Sequence, residues 1–267
     1  MLFMDNQVNR FILLTVFISH SFMLSAQEYH GTTGLLHVPS GEMGEAGHFR
    51  GGASFLHRAV MPDLSYHYGD GKPFNTMSFT LGISAFSWLE LSYTSILLKI
   101  HKNGNPQLPM GYYNEDRHVN VKVRLIKEKQ WWPAVAVGWD DIARIPGMEK
   151  DLASNNFFRN TYVAASKHYV YQGHIIGAHL AYRYYPSKEN RDHHGIVGGV
   201  TVEPLLKEFW DGMPTWVQRP RVIAEWDGAG VNVGADVLLW RHLFIQASIV
   251  HGHGFTGGLS YHYTIPF

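Results

Sequence analysis

The sequence predicts an all-β chain: a single antiparallel transmembrane β-barrel of about 12 strands, following a cleaved signal peptide. Three observations predict it. Segment after segment alternates with a period of two, apolar on one parity and small or polar on the other, which puts each set on its own face of a strand. The segments run roughly 9 to 12 residues, the length that spans a bilayer when tilted. The polar parity is mostly Gly, Ser, Thr, Ala and Asn. A soluble sandwich would need many long charged side chains there, whereas small residues suit a crowded lumen.

Composition agrees. The 267 residues contain 27 glycines and 14% aromatics but only 16% charged residues, and the mean hydropathy is nonetheless slightly negative at −0.14. Membrane segments in such a chain must be half polar. Twenty-two basic residues balance 22 acidic ones, so no polyanion-binding surface is implied and nucleic acid is not an expected partner. The absence of cysteine excludes a lipoprotein anchor, disulfides and thiolate metal sites, and suits an exported protein.

Residues 1–26 read as the signal peptide. Arg10 supplies positive charge, Phe11 to Leu24 is an apolar run broken by Thr15, Ser19, His20 and Ser21, and Ser25-Ala26 offers a cleavage site. Residues 27–46 are then a periplasmic or plug-like segment, and 47–267 the barrel. Leu35, Leu36 and Val38 are too apolar for a free tail, and Gly31, Gly34 and Pro39 suggest a fixed turn.

The strands follow in order. Phe49 to His57 is a weak copy of the pattern. Met77, Phe79, Leu81, Ile83 and Ala85 oppose Thr76, Ser78, Thr80, Gly82 and Ser84. Leu89 to Ile100 alternates but changes phase near Thr94-Ser95, which predicts a bulge. Val119, Val121, Val123 and Leu125 oppose His118, Asn120, Lys122 and Arg124, and Val135, Val137 and Trp139 oppose Ala134, Ala136, Gly138 and Asp140. Phe158 to Tyr169 is a strand without assignable faces. Ile176, Ala178, Leu180, Tyr182 and Tyr184 oppose Gly177, His179, Ala181 and Arg183. Weak copies cover Ile196 to Glu203 and Arg221 to Asp227. Val231 to Leu239 sets Val231, Val233 and Val237 against Asn232 and Asp236, and Leu243 to Ile249 repeats the pattern. Phe255, Leu259, Tyr261, Tyr263, Ile265 and Phe267 close the series against Thr256, Ser260, His262 and Thr264.

Connection lengths orient these strands. Long ones at 58–74, 102–116, 142–156 and 186–193 alternate with short ones at Ser87, Glu128-Lys129-Gln130 and Tyr171-Gln172-Gly173. Outer-membrane barrels pair long external loops with short periplasmic turns. Trp88, Trp131, Trp132 and Trp240 then form a periplasmic aromatic girdle. The pattern inverts at 204–220, where a long periplasmic connection contains a short amphipathic stretch, Leu205 to Trp210. The lumen-facing candidates are Lys122, Arg124, His179, Arg183, Glu225 and Asp236, accompanied by Arg50 and Glu90.

Two sets of motifs add a family likeness. Gly31-Thr32-Thr33-Gly34-Leu35-Leu36-His37-Val38-Pro39-Ser40, followed by Gly47-His48-Phe49, resembles the start of YjbH-type outer-membrane proteins. Echoes follow at Tyr162 to Lys167, Ala224 to Gly228, Val231 to Gly234 and Phe255 to Leu259. The resemblance implies a barrel in the outer membrane of a Gram-negative bacterium, associated with exopolysaccharide production. It implies as partners the outer-membrane lipids, the barrel-insertion machinery, and polysaccharide or periplasmic export components. The carboxy-terminal Phe267 resembles the aromatic sorting signal of such barrels. Many family members are far longer and carry more than one barrel-like module.

No catalytic constellation stands out: no nucleophile elbow, phosphate loop or glycosidase pair. Among the 17 histidines, His193-His194 and His251-x-His253 read as turn residues and lumen fillers, because zinc needs three or four ligands with defined geometry. Asp140-Asp141 and Glu115-Asp116 lack a calcium-loop spacing. The expectation is therefore a non-enzymatic chain with no metal or cofactor, assisting exopolysaccharide or surface-glycan production or export. The alternatives are a small passive pore and an outer-membrane lipid- or glycan-modifying enzyme.

Overall fold

The computed structural model describes residues 28–62, 72–144, 157–188, 190, 193–204 and 212–266. The segment expected to be a signal peptide, the stretch at 205–210 and Phe267 lie outside these residues. Twelve strands are formed: β1 (His48–Leu56), β2 (Thr76–Phe86), β3 (Leu89–His101), β4 (Met110–Ile126), β5 (Ala134–Arg144), β6 (Asn160–Tyr171), β7 (His174–Tyr184), β8 (Gly195–Pro204), β9 (Val217–Trp226), β10 (Val231–Leu239), β11 (Leu243–Val250) and β12 (Gly254–Thr264). Each pairs antiparallel with its sequence neighbours, and β12 returns to β1, so the sheet is a closed barrel. The closing seam runs from His48 opposite Thr264 to Phe55 opposite Gly257. Closure removes both sheet edges, whose unpaired N–H and C=O groups would each cost several kcal/mol in hydrocarbon, on the order of 2–7.

The barrel has two unlike ends. One, the turn end, carries the connections between β2 and β3, β4 and β5, and β6 and β7. At the last of these Gln172 and Gly173 both have positive φ (46° and 76°), the two-residue turn whose twist matches the flanking strands. The other, the loop end, carries the connections between β1 and β2, β3 and β4, β5 and β6, and β7 and β8.

Facing is inverted relative to a water-soluble protein. On β4, His118, Asn120 and Lys122 are fully enclosed, whereas Leu125 is 60% exposed. Leu81, Val163, Leu180, Ile196, Val200, Val222, Val233, Ile249 and Leu259 form a continuous outward apolar belt. Trp88, Trp131, Trp132 and Trp240 stand exposed at the turn end, while Tyr112, Tyr113, Tyr184 and Trp226 lie towards the loop end. An exposed apolar band of this extent is what a lipid-contacting surface requires. β6 also acquires faces: Asn160, Tyr162, Ala164 and Ser166 point inward and Val163 and Tyr169 outward.

Two expectations are corrected. β3 has no bulge at Thr94-Ser95, because pairing to both neighbours is continuous there and the register shifts only towards its ends, opposite β2 at Ser84/Phe86 and opposite β4 between Leu98 and Ile100. Glu90, Ser92, Thr94, Ile96 and Leu98 all face inward. The chemistry of the inward face changes, not its parity, because the loop half of the lumen is apolar. There Tyr29, Leu56, Val60, Met61, Phe74, Ile96, Leu98, Phe157, Phe158 and Val250 form one cluster. The connection expected at 102–116 is also shorter, since β3 and β4 continue pairing to His101 opposite Met110. A bulge does occur in β5, where the register to β4 shifts. Asp141 has a φ of 55° there, so that Asp140 and Asp141 are both enclosed.

Candidate functional site

The lumen is filled by the chain itself. Residues 28–44 are buried without exception, running from the apolar cluster of the loop half down to the turn end, where β1 begins. Their backbone groups are matched to side chains of the barrel wall. The His30 carbonyl accepts from Ser92 Oγ (2.6 Å), Thr94 Oγ1 (2.8 Å) and Asn120 Nδ2 (2.8 Å). Ser78 donates to the Tyr29 carbonyl. Gly34 bridges to Pro39 and Leu35 N–H donates to the Val38 carbonyl, which makes a tight turn. Its tip presses Leu35, Leu36 and Val38 onto Tyr162, Ala164, Ala181, Val197, Ile223, Leu238 and Phe244.

Charged wall residues hold this segment from opposite sides. Glu90 accepts from Thr33 N–H (2.9 Å), Thr33 Oγ1 (2.7 Å), Gly44 N–H (2.7 Å) and Ser84 Oγ (3.0 Å). Arg50 pairs with it at 3.3 Å. Lys122 Nζ donates to the carbonyls of Thr33 and Glu42, both at 2.6 Å. Across the lumen, Glu225 accepts from the N–H groups of Leu36 and His37 (both 3.0 Å), from His37 Nδ1 (2.9 Å) and from Asn232 Nδ2 (3.0 Å). Arg183 donates to the carbonyls of His37, His193 and Asp227. A buried ion pair is weak evidence for stability, since desolvation offsets its attraction, but it fixes register well. Here carboxylates take amides and cations take carbonyls, which specifies one path for an irregular segment.

Glycine permits the close approach. Gly31 has a φ of 85°, and a Cβ there would lie 3.0 Å from that of Ser92; one at Gly41 would lie 2.5 Å from the Ala134 carbonyl oxygen. A cleft lined by Gly52, Ser54, Thr80, Gln246, Gly258 and Ser260 has a volume of about 10 Å³, at the limit for a single water molecule.

The structure brings Lys122, Arg183 and Glu225 together around the segment containing Gly31, Gly34 and Pro39. His179 is enclosed and contacts Ser166 (2.8 Å), whose hydroxyl accepts from Gly41 N–H. Asp236 instead forms a buried pair with Arg221 (2.7 Å), and Arg124 is half-exposed near the turn-end rim. Glu90 and Arg50 were visible as inward charges, but nothing in the sequence ranked them above the others. His37, Glu42 and His168 were missed. His251 pairs with Asp227 at 3.0 Å and His194 packs on Tyr182 and Tyr184, so these turn histidines support loops.

The fold and site define a class: a closed 12-stranded barrel with an apolar exterior and an amino-terminal segment packed in its lumen. The family model of YjbH, described as exopolysaccharide biosynthesis protein YbjH, matches residues 26–178. That is more than half of the chain, which belongs to this family. No curated protein matches. Among solved structures the chain is similar to the outer membrane phospholipase A from Escherichia coli, at 11% identity and a TM-score of 0.33. That match covers 83% of this chain and 98% of the other. The expectation of a chain without enzymatic activity is corrected here, since a barrel it is similar to is itself an enzyme. At that TM-score the likeness transfers no catalytic residue.

Proposed function

We propose that this protein is a plugged barrel of the outer membrane of a Gram-negative bacterium, assisting exopolysaccharide or surface-glycan production or export. In this reading the turn end faces the periplasm, and residues 28–46 form a plug that sets whether the lumen is open. The observation that carries it is the packing of that segment by Glu90, Lys122, Arg183 and Glu225. Family membership supports the glycan role and the outward apolar belt supports the location. The packed lumen argues against a standing passive pore.

The test is genetic and electrical together. Deleting the gene lowers secreted polysaccharide, and the wild-type chain restores it. A variant lacking residues 28–46 still inserts, because the strand ladder is complete without them, but conducts ions in planar bilayers where the wild type is closed. Unchanged polysaccharide on deletion overturns the glycan role, and equal conductance of the two chains overturns the plug.

A further inference from the structure

Among the described residues, one side-chain cluster has the composition of a metal site. Glu42 from the plug, His168 from β6 and His179 from β7 each offer one ligand atom, all within 4.8 Å of one another. Glu42 Oε1 lies 3.0 Å from His168 Nε2. Its second oxygen, Oε2, is buried with no hydrogen-bond partner, and Glu42 as a whole is 5% exposed. A buried carboxylate oxygen without a donor costs free energy unless something positive reaches it.

The surroundings of the two histidines suit ligation. His168 Nδ1 lies 2.7 Å from Glu128 Oε2, and Glu128 is itself paired with Lys167 at 3.0 Å. A carboxylate on one ring nitrogen fixes the tautomer and turns the other nitrogen towards the ion, the usual support of a metal-bound imidazole. His179 Nδ1 is held by Ser166 Oγ at 2.8 Å, whereas its Nε2 has only a long contact of 3.3 Å to Thr201 Oγ1. The two rings meet edge to face with centroids 5.5 Å apart. His168 is 17% exposed at its side chain, which leaves an entry path near the turn end.

We propose that Glu42, His168 and His179 bind a divalent transition-metal ion of the zinc class, which clips the plug to the barrel wall. Two imidazoles and one carboxylate are a donor set that Zn²⁺ accepts, with a fourth position left for water. Two ligands come from neighbouring wall strands and the third from the plug. The ion therefore links the segment to β6 and β7 at the end where it enters the lumen. This rests on the plug reading but not on any role in glycan export.

The test uses the full-length, untagged barrel in detergent, stripped with a chelator and titrated with Zn²⁺ against a chromophoric competitor. One equivalent binds to the wild type. Glu42→Gln and His179→Asn each weaken it at least tenfold, and Glu128→Gln weakens it roughly 10- to 100-fold through His168. His253→Asn, on the opposite end, leaves it unchanged. Heat-modifiable migration on gels establishes that each variant is folded. As a second readout, Zn²⁺ slows proteolysis of the plug in the wild type but not in His179→Asn. Absence of a stoichiometric ion, or equal affinity of folded His179→Asn and wild type, overturns the proposal and leaves Glu42 and His168 as an ion pair only. Polysaccharide output is not measured here, so its failure and this one are separable.

Discussion

Replacing Glu225 by alanine perturbs the plug at its tip while leaving the strand ladder intact. The N–H groups of Leu36 and His37 lose their acceptor, at roughly 1–3 kcal/mol each, or about 2–6 kcal/mol together. Opposing release is the burial of Leu35, Leu36 and Val38, each at most 1% exposed and worth about 1.5–3 kcal/mol, so about 4.5–9 kcal/mol in sum. The single variant should therefore loosen the plug without emptying the lumen. Adding Glu90→Ala removes the acceptor of the Thr33 and Gly44 amides, a further 2–6 kcal/mol or about 4–12 in all, which matches the apolar term. In planar bilayers the wild type should stay closed, Glu225→Ala should flicker, and the double variant should spend a large fraction of time open. All three should remain heat-modifiable, because no backbone bond of the strand ladder is touched. A double variant that folds and stays as closed as the wild type would refute the argument that these carboxylates hold the segment.

Other perturbations separate wall, plug and loops. Val121→Arg, on the outward apolar face of β4, should cost roughly 2–4 kcal/mol in unfolding titrations in a bilayer. Lys122→Gln should insert normally and instead raise protease access to the plug, since it loses the bonds to Thr33 and Glu42. Gly41→Val should displace the plug, because its Cβ would sit 2.5 Å from a backbone oxygen; increased conductance with an intact barrel is the expected readout. At the loop end, burial alone would raise the Asp227 carboxyl. Donors from Asn232, Gly230, His251 and Ala229 outweigh it and hold the group down to about 2. Its folded value lies below the unfolded one of about 3.9, so its contribution is present above that pH and is lost as pH falls through about 2. Carboxyl chemical shifts should show Asp227 still ionised at pH 3.5, and a midpoint near 4 would contradict the turn geometry.

The barrel was legible because strand periodicity is local and its period is fixed. Val119 to Leu125 needs only seven residues to reveal both faces, because apolar and polar side chains separate completely by parity there. The inference failed where the inner face changed character, at Ile96 and Leu98, since parity was judged from polarity and part of this lumen is greasy. The plug contacts were illegible for another reason. Glu225 meets His37 across 188 positions and Glu90 meets Thr33 across 57, separations that carry no periodic signal. His168 was missed because the residues around it in β6, Lys167 and Tyr169 among them, do not sort by polarity into two faces. Its partners are revealed only when β6, β7 and the plug converge.

The central claim is that residues 28–44 are packed inside a closed barrel. Hydrogen exchange on the folded full-length protein tests it most directly, at the amides of Thr33, Leu36, His37, Gly41 and Gly44. Each of these is bonded to a wall side chain: Glu90, Glu225, Glu225, Ser166 and Glu90. The account predicts protection approaching that of the strands at all five, with Glu225→Ala releasing Leu36 and His37 first. Exchange at all five at the rate of an unstructured chain, in a barrel whose strand amides remain protected, would contradict it.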